Sequence, residues 1–405
     1  MTNELIIAGI GAGARNLMTE QLQQIISDSD IVLGAKRMLG GITDKETGAA
    51  YTYDDVKPYL TSGKYESVLV LMSGDSGFYS GAKKLYEKVK ADNDLSCWSV
   101  SILPGISSIS YFAAKCGESY DDAVLYSMHG REVYEWKGPI VDAVRYNAKV
   151  FTLLAGCGQI MKLQVVLGEY FGDEISITLG YMLSYPEEAI IEVSVYDRET
   201  NLNDGLYVAL IKNNKPENKR IGYGIRDAEF IRGKVPMTKQ EVRHISIDKL
   251  ELCKGAVLYD IGCGTGSVAI EAALCDPSIR VFATDRNADA AELTRRNAII
   301  HKAANVEVYC KQALDFLQSE DFLPAPTHAF IGGSGGDLEA IIEKLYELNE
   351  NVIIVITAVT LDTIAKAQEF MGEQSECIYL AVSRNECIGT HQMMKAENQV
   401  AIIRL

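Results

Sequence analysis

Apolar and polar positions along this chain follow a strand-then-helix rhythm. Short apolar runs at residues 5–8, 31–33, 67–72 and 98–103 are separated by spans with helical spacing. That alternation predicts α/β architecture with largely parallel sheets. Residues 122–212 read differently. Their apolar runs, at 123–126, 150–154, 176–179, 189–194 and 205–211, lie closer together. Fewer helices are expected between them, and a mixed sheet forming a second lobe is predicted. A polar stretch around Pro216 predicts a linker. The expected division is therefore residues 1–212, with lobes at about 1–115 and 120–212, a linker at 213–222, and a further unit at 223–405. Near the end, runs at 376–383 and 398–403 flank a glycine-containing turn and predict a terminal hairpin.

The ends of these strands carry the chemistry. An apolar run at 256–259 leads into Asp260-Ile261-Gly262-Cys263-Gly264-Thr265-Gly266-Ser267, and a helix-like run follows. Strand, glycine turn and helix together let a nucleotide-like ligand lie against bare backbone at a helix N-terminus. Asp285 ends the next apolar run, 19 residues after Gly266. A carboxylate there suits the two hydroxyls of a ribose; the competing reading is a helix N-cap. Cys263 reads as a small filler of the turn. The first half has four strand-end clusters: Gly9-Ile10-Gly11-Ala12-Gly13, Ser73-Gly74-Asp75-Ser76-Gly77-Phe78-Tyr79, Pro104-Gly105-Ile106-Ser107-Ser108, and His129-Gly130-Arg131. Gly9, Gly11 and Gly74 permit close backbone approach, and Asp75, Ser107 and Ser108 supply orienting polar groups. A glycine-serine run, Gly332-Gly333-Ser334-Gly335-Gly336, reads as a backbone cradle for an anion.

Composition narrows the field. At 405 residues two or three domains are expected, and 47% apolar residues can fill their cores. A net charge of −16 offers no basic footprint for nucleic acid. No apolar run reaches the ~18 residues of a membrane span. The segment Met1-Thr2-Asn3-Glu4 passes straight into a strand without a signal-peptide pattern, so a cytoplasmic location is expected. Nine scattered cysteines without a C-x-x-C pair point to reduced thiols, and five dispersed histidines give no metal-ligand spacing.

Residues 3–212 resemble the tetrapyrrole methylase family, in its carbon-5 branch. The matching pieces are IAGIGAG (7–13), LMSGDSGFYSGAKKL (71–85), ILPGISSISYFAAKCG (102–117), SMHGR (127–131) and GYMLSYPEEAI (180–190). Ala12 and Ser76 stand where that family has proline, so both turns are expected to be less rigid. Residues 153–157 replace a Leu-Thr-Asp pattern. Residues 225–405 resemble the precorrin carbon-15 methyltransferase (decarboxylating) family. They do so through PMTKQEVR (236–243), DIGCGTGSVAIEAA (260–273), Ala283-Thr284-Asp285-Arg286-Asn287, FIGGSGG (330–336), Thr357-Ala358-Val359-Thr360-Leu361 and Val382-Ser383-Arg384. Gln312 replaces the family's acidic residue.

These resemblances imply a two-lobed tetrapyrrole methylase fold followed by a Rossmann-like S-adenosylmethionine-dependent methyltransferase fold, one donor per domain. They imply methylation of carbons 5 and 15 of a precorrin, with loss of one acetate carboxyl, in cobalamin biosynthesis. Donor contacts are expected at Gly9, Gly11, Gly74, Asp75, Phe78, Ser107 and Ser108, and at Thr238, 262–266, Asp285, Gln312 and Ala313. Substrate carboxylates are expected at His129, Arg131, Arg243, Arg384 and the 332–336 cradle, since Arg suits bidentate carboxylate binding. Glu241 or His244 would shuttle a proton. Assembly into a homo-oligomer through the C-terminal domain is expected. Two rival readings remain open: a first half that only binds or channels the intermediate, and an NAD-dependent oxidoreductase. The second fits less well because Ser267 occupies the position of the third fingerprint glycine.

Overall fold

In the computed structural model, which describes residues 3–197, 202–220, 222, 224–319 and 323–405, the predicted strands form three main sheets and a separate hairpin. The chain divides into two compact units, one of Met1–Gly130 with Asn147–Pro216, the other of Arg131–Tyr146 with Glu217–Leu405. The expected linker spans residue 221, which lies outside the described residues.

In the first unit, strands β1 (Asn3–Gly9), β2 (Ile31–Leu33), β3 (Glu46–Gly48), β4 (Ser67–Met72) and β5 (Trp98–Leu103) form one sheet in the order β3-β2-β4-β1-β5. All its pairings are parallel. Helices such as Glu20–Asp28 and Ala82–Ala91 supply apolar faces to cores on both sides, which is why β1 and β4 read as continuous apolar runs. A second sheet joins β6 (Val124–Ser127), β7 (Lys149–Leu154), β8 (Ile175–Tyr181), β9 (Ala189–Val193) and β10 (Tyr207–Asn213) in the order β6-β7-β10-β8-β9. Only β6 and β7 are parallel, so this sheet is mixed, as its spacing predicted.

The expectation of few helices in this block is corrected. Val133–Tyr146 and Cys157–Tyr170 are both 14-residue helices. The first contains Gly138 and Pro139, a pair that commonly marks a turn. Gly138 is required there: a Cβ would lie 2.6 Å from the Pro277 carbonyl oxygen. This helix packs within the second unit. Arg145 Nη1–H donates to the His301 carbonyl at 2.5 Å, and the Arg280 guanidinium lies 4.4 Å from the Tyr134 ring centre.

The second unit continues with β11 (Val257–Ile261), β12 (Arg280–Thr284), β13 (Val306–Tyr309), β14 (His328–Ile331), β15 (Ile353–Ala358), β16 (Glu376–Leu380), β17 (Ser383–Ile388), β18 (His391–Ala396) and β19 (Val400–Arg404). Seven of these form a sheet in the order β13-β12-β11-β14-β15-β19-β16. The first five are parallel, and β19 runs antiparallel to β15 and β16. Strand order reverses between β11 and β14, and ligands of open α/β sheets collect outside the carboxyl ends of strands at that switch. The expected terminal pairing is realised by β16 and β19. Between them β17 and β18 form a separate two-stranded sheet that the sequence did not reveal.

Candidate active site

A cavity of about 510 Å³ opens at the switch between β11 and β14. The turn after β11 lines it through Gly262, Cys263 and Gly264, whose small or absent side chains leave the space open. Gly262 has φ +73°, and a Cβ on it would lie 2.7 Å from the Gly333 carbonyl oxygen. Glycine is required there on both counts, conformation and room. The loop after β14 thus meets the turn after β11 backbone to backbone.

Asp285, at the end of β12, faces the same turn. Gly264 N–H donates to its Oδ2 at 3.0 Å, and Asn287 N–H donates to its Oδ1 at 2.9 Å. Asn287, not Asp285, caps the helix Ala288–Ile300, which removes the N-cap reading. Each Asp285 oxygen retains a lone pair for a hydroxyl donor. Asp260 is buried beneath the turn. Its Oδ2 accepts from Ala269 N–H at 3.1 Å, and its Oδ1 has no protein partner. Burial raises its carboxyl to about 7, and the nearby Asp285 charge adds to the rise. Burial also raises the Cys263 thiol well above its usual range, which fits a packing role rather than a nucleophile.

Of the residues expected to hold the donor, Thr238, Gly262, Cys263, Gly264, Asp285, Gln312 and Ala313 line this cavity. Thr265 and Gly266 do not. Thr265 is fully buried, its carbonyl accepting from Asn297 Nδ2–H at 2.9 Å, and Gly266 packs against Thr294. Their task is to hold the turn against the helix behind it. Of the cradle, Gly332, Gly333, Ser334 and Gly335 line the cavity, while Gly336 lies beyond it.

The structure also places here Lys239, Arg286, Asn287 and Lys311, to which sequence reasoning assigned no role. Arg286 stands over the cradle, its Nη1 3.2 Å from where a Gly335 Cβ would be. The signal for it was present, since Arg286 directly follows the ribose-directed acid in a recognised motif.

Four of the expected site residues are placed elsewhere. Arg243 has 0% exposure. Its Nε–H donates to Glu271 Oε2 at 2.5 Å, and its other nitrogens donate to Asp227 and to the carbonyls of Thr238 and Ile225. A guanidinium so enclosed cannot grip a substrate. His244 lies against a different cavity, with Nε2 3.2 Å from Glu271 Oε1, so it is not placed for proton transfer here. Glu241 pairs with Arg384, which also donates to Glu397, and neither Glu241 nor Arg384 lines the first cavity. The Arg384 charge is thereby already met by two carboxylates.

In the first unit the ends of β1, β4 and β5 converge through glycine. Gly11 and Gly74 exchange backbone hydrogen bonds at 3.0 Å, and a Cβ on Gly9 or Gly105 would collide with the neighbouring loop backbone. Asp75 Oδ1 accepts from Gly105 N–H at 3.3 Å. Ser107 Oγ accepts from Ile109 N–H and caps the helix Ser108–Cys116, so its hydroxyl serves the fold. Phe78 packs half-buried against the core. His129 is exposed, as is Arg131, which belongs to the second unit.

Hydrogen bonds lie at or near the turns expected to be less rigid. Ser76 Oγ–H donates to the Leu103 carbonyl at 2.9 Å, and Ala14 N–H donates to Ser184 Oγ at 2.9 Å. At the altered 153–157 stretch, the Cys157 thiol donates to Asp204 Oδ1 at 3.0 Å, so a carboxylate comes from a different loop.

Comparison with known proteins gives each half its own match. Residues 4–197 match the model for tetrapyrrole (corrin/porphyrin) methylases, and residues 229–405 match the precorrin methyltransferase domain. A probable cobalt-precorrin-6B C(15)-methyltransferase (decarboxylating) of Pyrobaculum calidifontis is 41% identical over 44% of this chain and 94% of its own length. A precorrin-6Y C(5,15)-methyltransferase [decarboxylating] of a Sinorhizobium species is 28% identical over 88% of this chain and 85% of its own. Among solved structures, a precorrin-6Y C5,15-methyltransferase of Geobacter metallireducens is 40% identical, covering 45% of this chain and 97% of that one, with a TM-score of 0.42.

Proposed function

We propose, for a chain that belongs to the precorrin methyltransferases and joins a tetrapyrrole methylase domain to a C-terminal precorrin methyltransferase domain, that it methylates carbons 5 and 15 of a precorrin. It removes one acetate carboxyl as carbon dioxide, as a step of cobalamin biosynthesis. Residues 1–212 carry the carbon-5 reaction and residues 223–405 the carbon-15 reaction and decarboxylation. The observation that carries the reading is the cavity at the β11/β14 switch. It combines bare glycine backbone, a ribose-directed carboxylate at Asp285 and a polar edge at Gln312.

These residues fit S-adenosylmethionine, which supplies a methyl group on a positively charged sulfur. Asp285 would accept from the ribose hydroxyls, Gln312 and Ala313 would border the base, and the glycines of 262–264 leave room for the amino-acid part. The ring carbon to be methylated is electron-rich, so the protein's main contribution is alignment at ~3–3.5 Å. In the first unit, Gly9, Gly11, Gly74 and Asp75 form the second donor site.

Supporting assembly through the C-terminal domain, β18 is exposed along its whole length, with Met393 and Met394 open to solvent. Sedimentation of the full chain tests that point. The reading as a whole is tested by mixing the chain with S-adenosylmethionine and the tetrapyrrole and following carbon dioxide release. Release dependent on the donor supports it, and none refutes it. Against the oxidoreductase alternative, S-adenosylhomocysteine is expected to raise the melting temperature and NAD to leave it unchanged.

A further inference from the structure

One recognised motif has been given no role in holding the donor. Thr357-Ala358-Val359-Thr360-Leu361 closes β15 and opens the helix Leu361–Gln368. Thr357 and Val359 line the cavity. Val359 is 65% exposed and Leu361 83%. The helix itself is well anchored, because Thr360 Oγ1 accepts from Thr363 N–H and Ile364 and Ala367 are buried. Its exposed leucine is therefore not a fraying end.

Two exposed apolar side chains two residues apart, Val359 lining the cavity and Leu361 outside its lining, are unfavourable in water, and their burial under a ligand recovers that cost. The flanking charge is selective. Lys239, Arg286 and Lys311 line the cavity against one acid, Asp285, in a chain whose net charge is −16. Among the described residues Arg286 has no ion-pair partner, and it overhangs the cradle at Gly335. An exposed apolar pair and cations at one cavity match a flat ring with carboxylates around its edge.

We propose that Val359 and Leu361 form the platform on which one face of the tetrapyrrole rests in the carbon-15 reaction, with Arg286 gripping one of its peripheral carboxylates. This rests on the function proposed above and adds the substrate's place. The carboxylate held by Arg286 is one the product keeps. A guanidinium stabilises the ionised group it binds, and that opposes the loss of carbon dioxide from it.

Leu361→Glu, Val359→Asp and Arg286→Ala in the full chain are compared with the unaltered chain. Carbon dioxide release is followed against tetrapyrrole concentration with donor saturating. Binding of S-adenosylhomocysteine is measured by calorimetry, and assembly by sedimentation. Each variant is expected to raise KM for the tetrapyrrole about tenfold or more, with donor affinity within about twofold. Arg286→Ala is expected to leave kcat for decarboxylation within about threefold, whereas loss of most of kcat would overturn its assignment to a retained carboxylate. A KM unchanged by Leu361→Glu overturns the platform. So does loss of an assembled state in that variant, which would assign the apolar pair to a second copy of the chain. If the unaltered chain shifts the tetrapyrrole absorbance yet releases no carbon dioxide, the function fails separately. The platform then stands only if Leu361→Glu weakens that shift, and falls if it does not.

Discussion

Replacing Arg243 by Met separates a structural from a substrate-binding role. The side chain is fully enclosed and satisfied by two carboxylates and two carbonyls. Met keeps much of the volume and offers no donor. Glu271, itself only 5% exposed, then loses the guanidinium that meets it. Breaking one side of a buried pair costs about 3–5 kcal/mol. For a unit of about 200 residues, each kcal/mol moves the midpoint by about 2–4 °C, so a fall of roughly 6–20 °C is expected. Differential scanning calorimetry on the full chain resolves it, with the first unit's transition as an internal reference. The reasoning is refuted if the midpoint of the second unit moves by less than about 2 °C while KM for the tetrapyrrole rises, because Arg243 would then be acting on substrate.

Further expectations follow from the same geometry. Asp285→Asn loses an acceptor for the Gly264 N–H and the charge offered to the ribose, so calorimetry should show one donor site weakened by roughly 10–100-fold and the other unchanged. Gly262→Ala places a methyl 2.7 Å from the Gly333 carbonyl at a φ of +73°, and the donor affinity of that site should fall more than the melting temperature does. Burial lowers the pKa of His301, whose Nε2–H donates to the Glu229 carbonyl. The unfolded chain then binds this proton more readily than the folded one. The contribution is therefore complete above about pH 6.5 and is lost as pH falls. His301→Gln should flatten the decline in urea stability between pH 7 and 5.5, and an unchanged slope would rule this histidine out as its cause.

What was legible in the sequence was the part fixed by local chemistry. A glycine turn between an apolar strand and a helix can be read residue by residue, and so can the acid that ends the next strand. The 67–72 run became a strand with those same bounds because burial on both faces leaves a continuous apolar signal, and the 98–103 run did so at a sheet edge, where apolar and polar residues alternate over much of its length. The rest depended on tertiary partners. Gly138-Pro139 is a pair that commonly marks a turn, and the Pro277 carbonyl beside it explains the glycine. Among the described side chains, the β17–β18 hairpin has no buried face to impose an alternating pattern. Arg243 looks like a carboxylate grip in sequence, and only Glu271 and Asp227, 28 and 16 residues away, show that its charge is already spent within the protein. Arg286 was visible in its motif, but its task depends on the loop that passes under it.

The account rests on two working methyl-transfer sites in one chain. Mass spectrometry of the tetrapyrrole after reaction with methyl-labelled S-adenosylmethionine measures this directly. A product that has gained two labelled methyl groups and lost one carbon dioxide is predicted. A product carrying a single label after loss of carbon dioxide would contradict it and leave the first unit as a binding module.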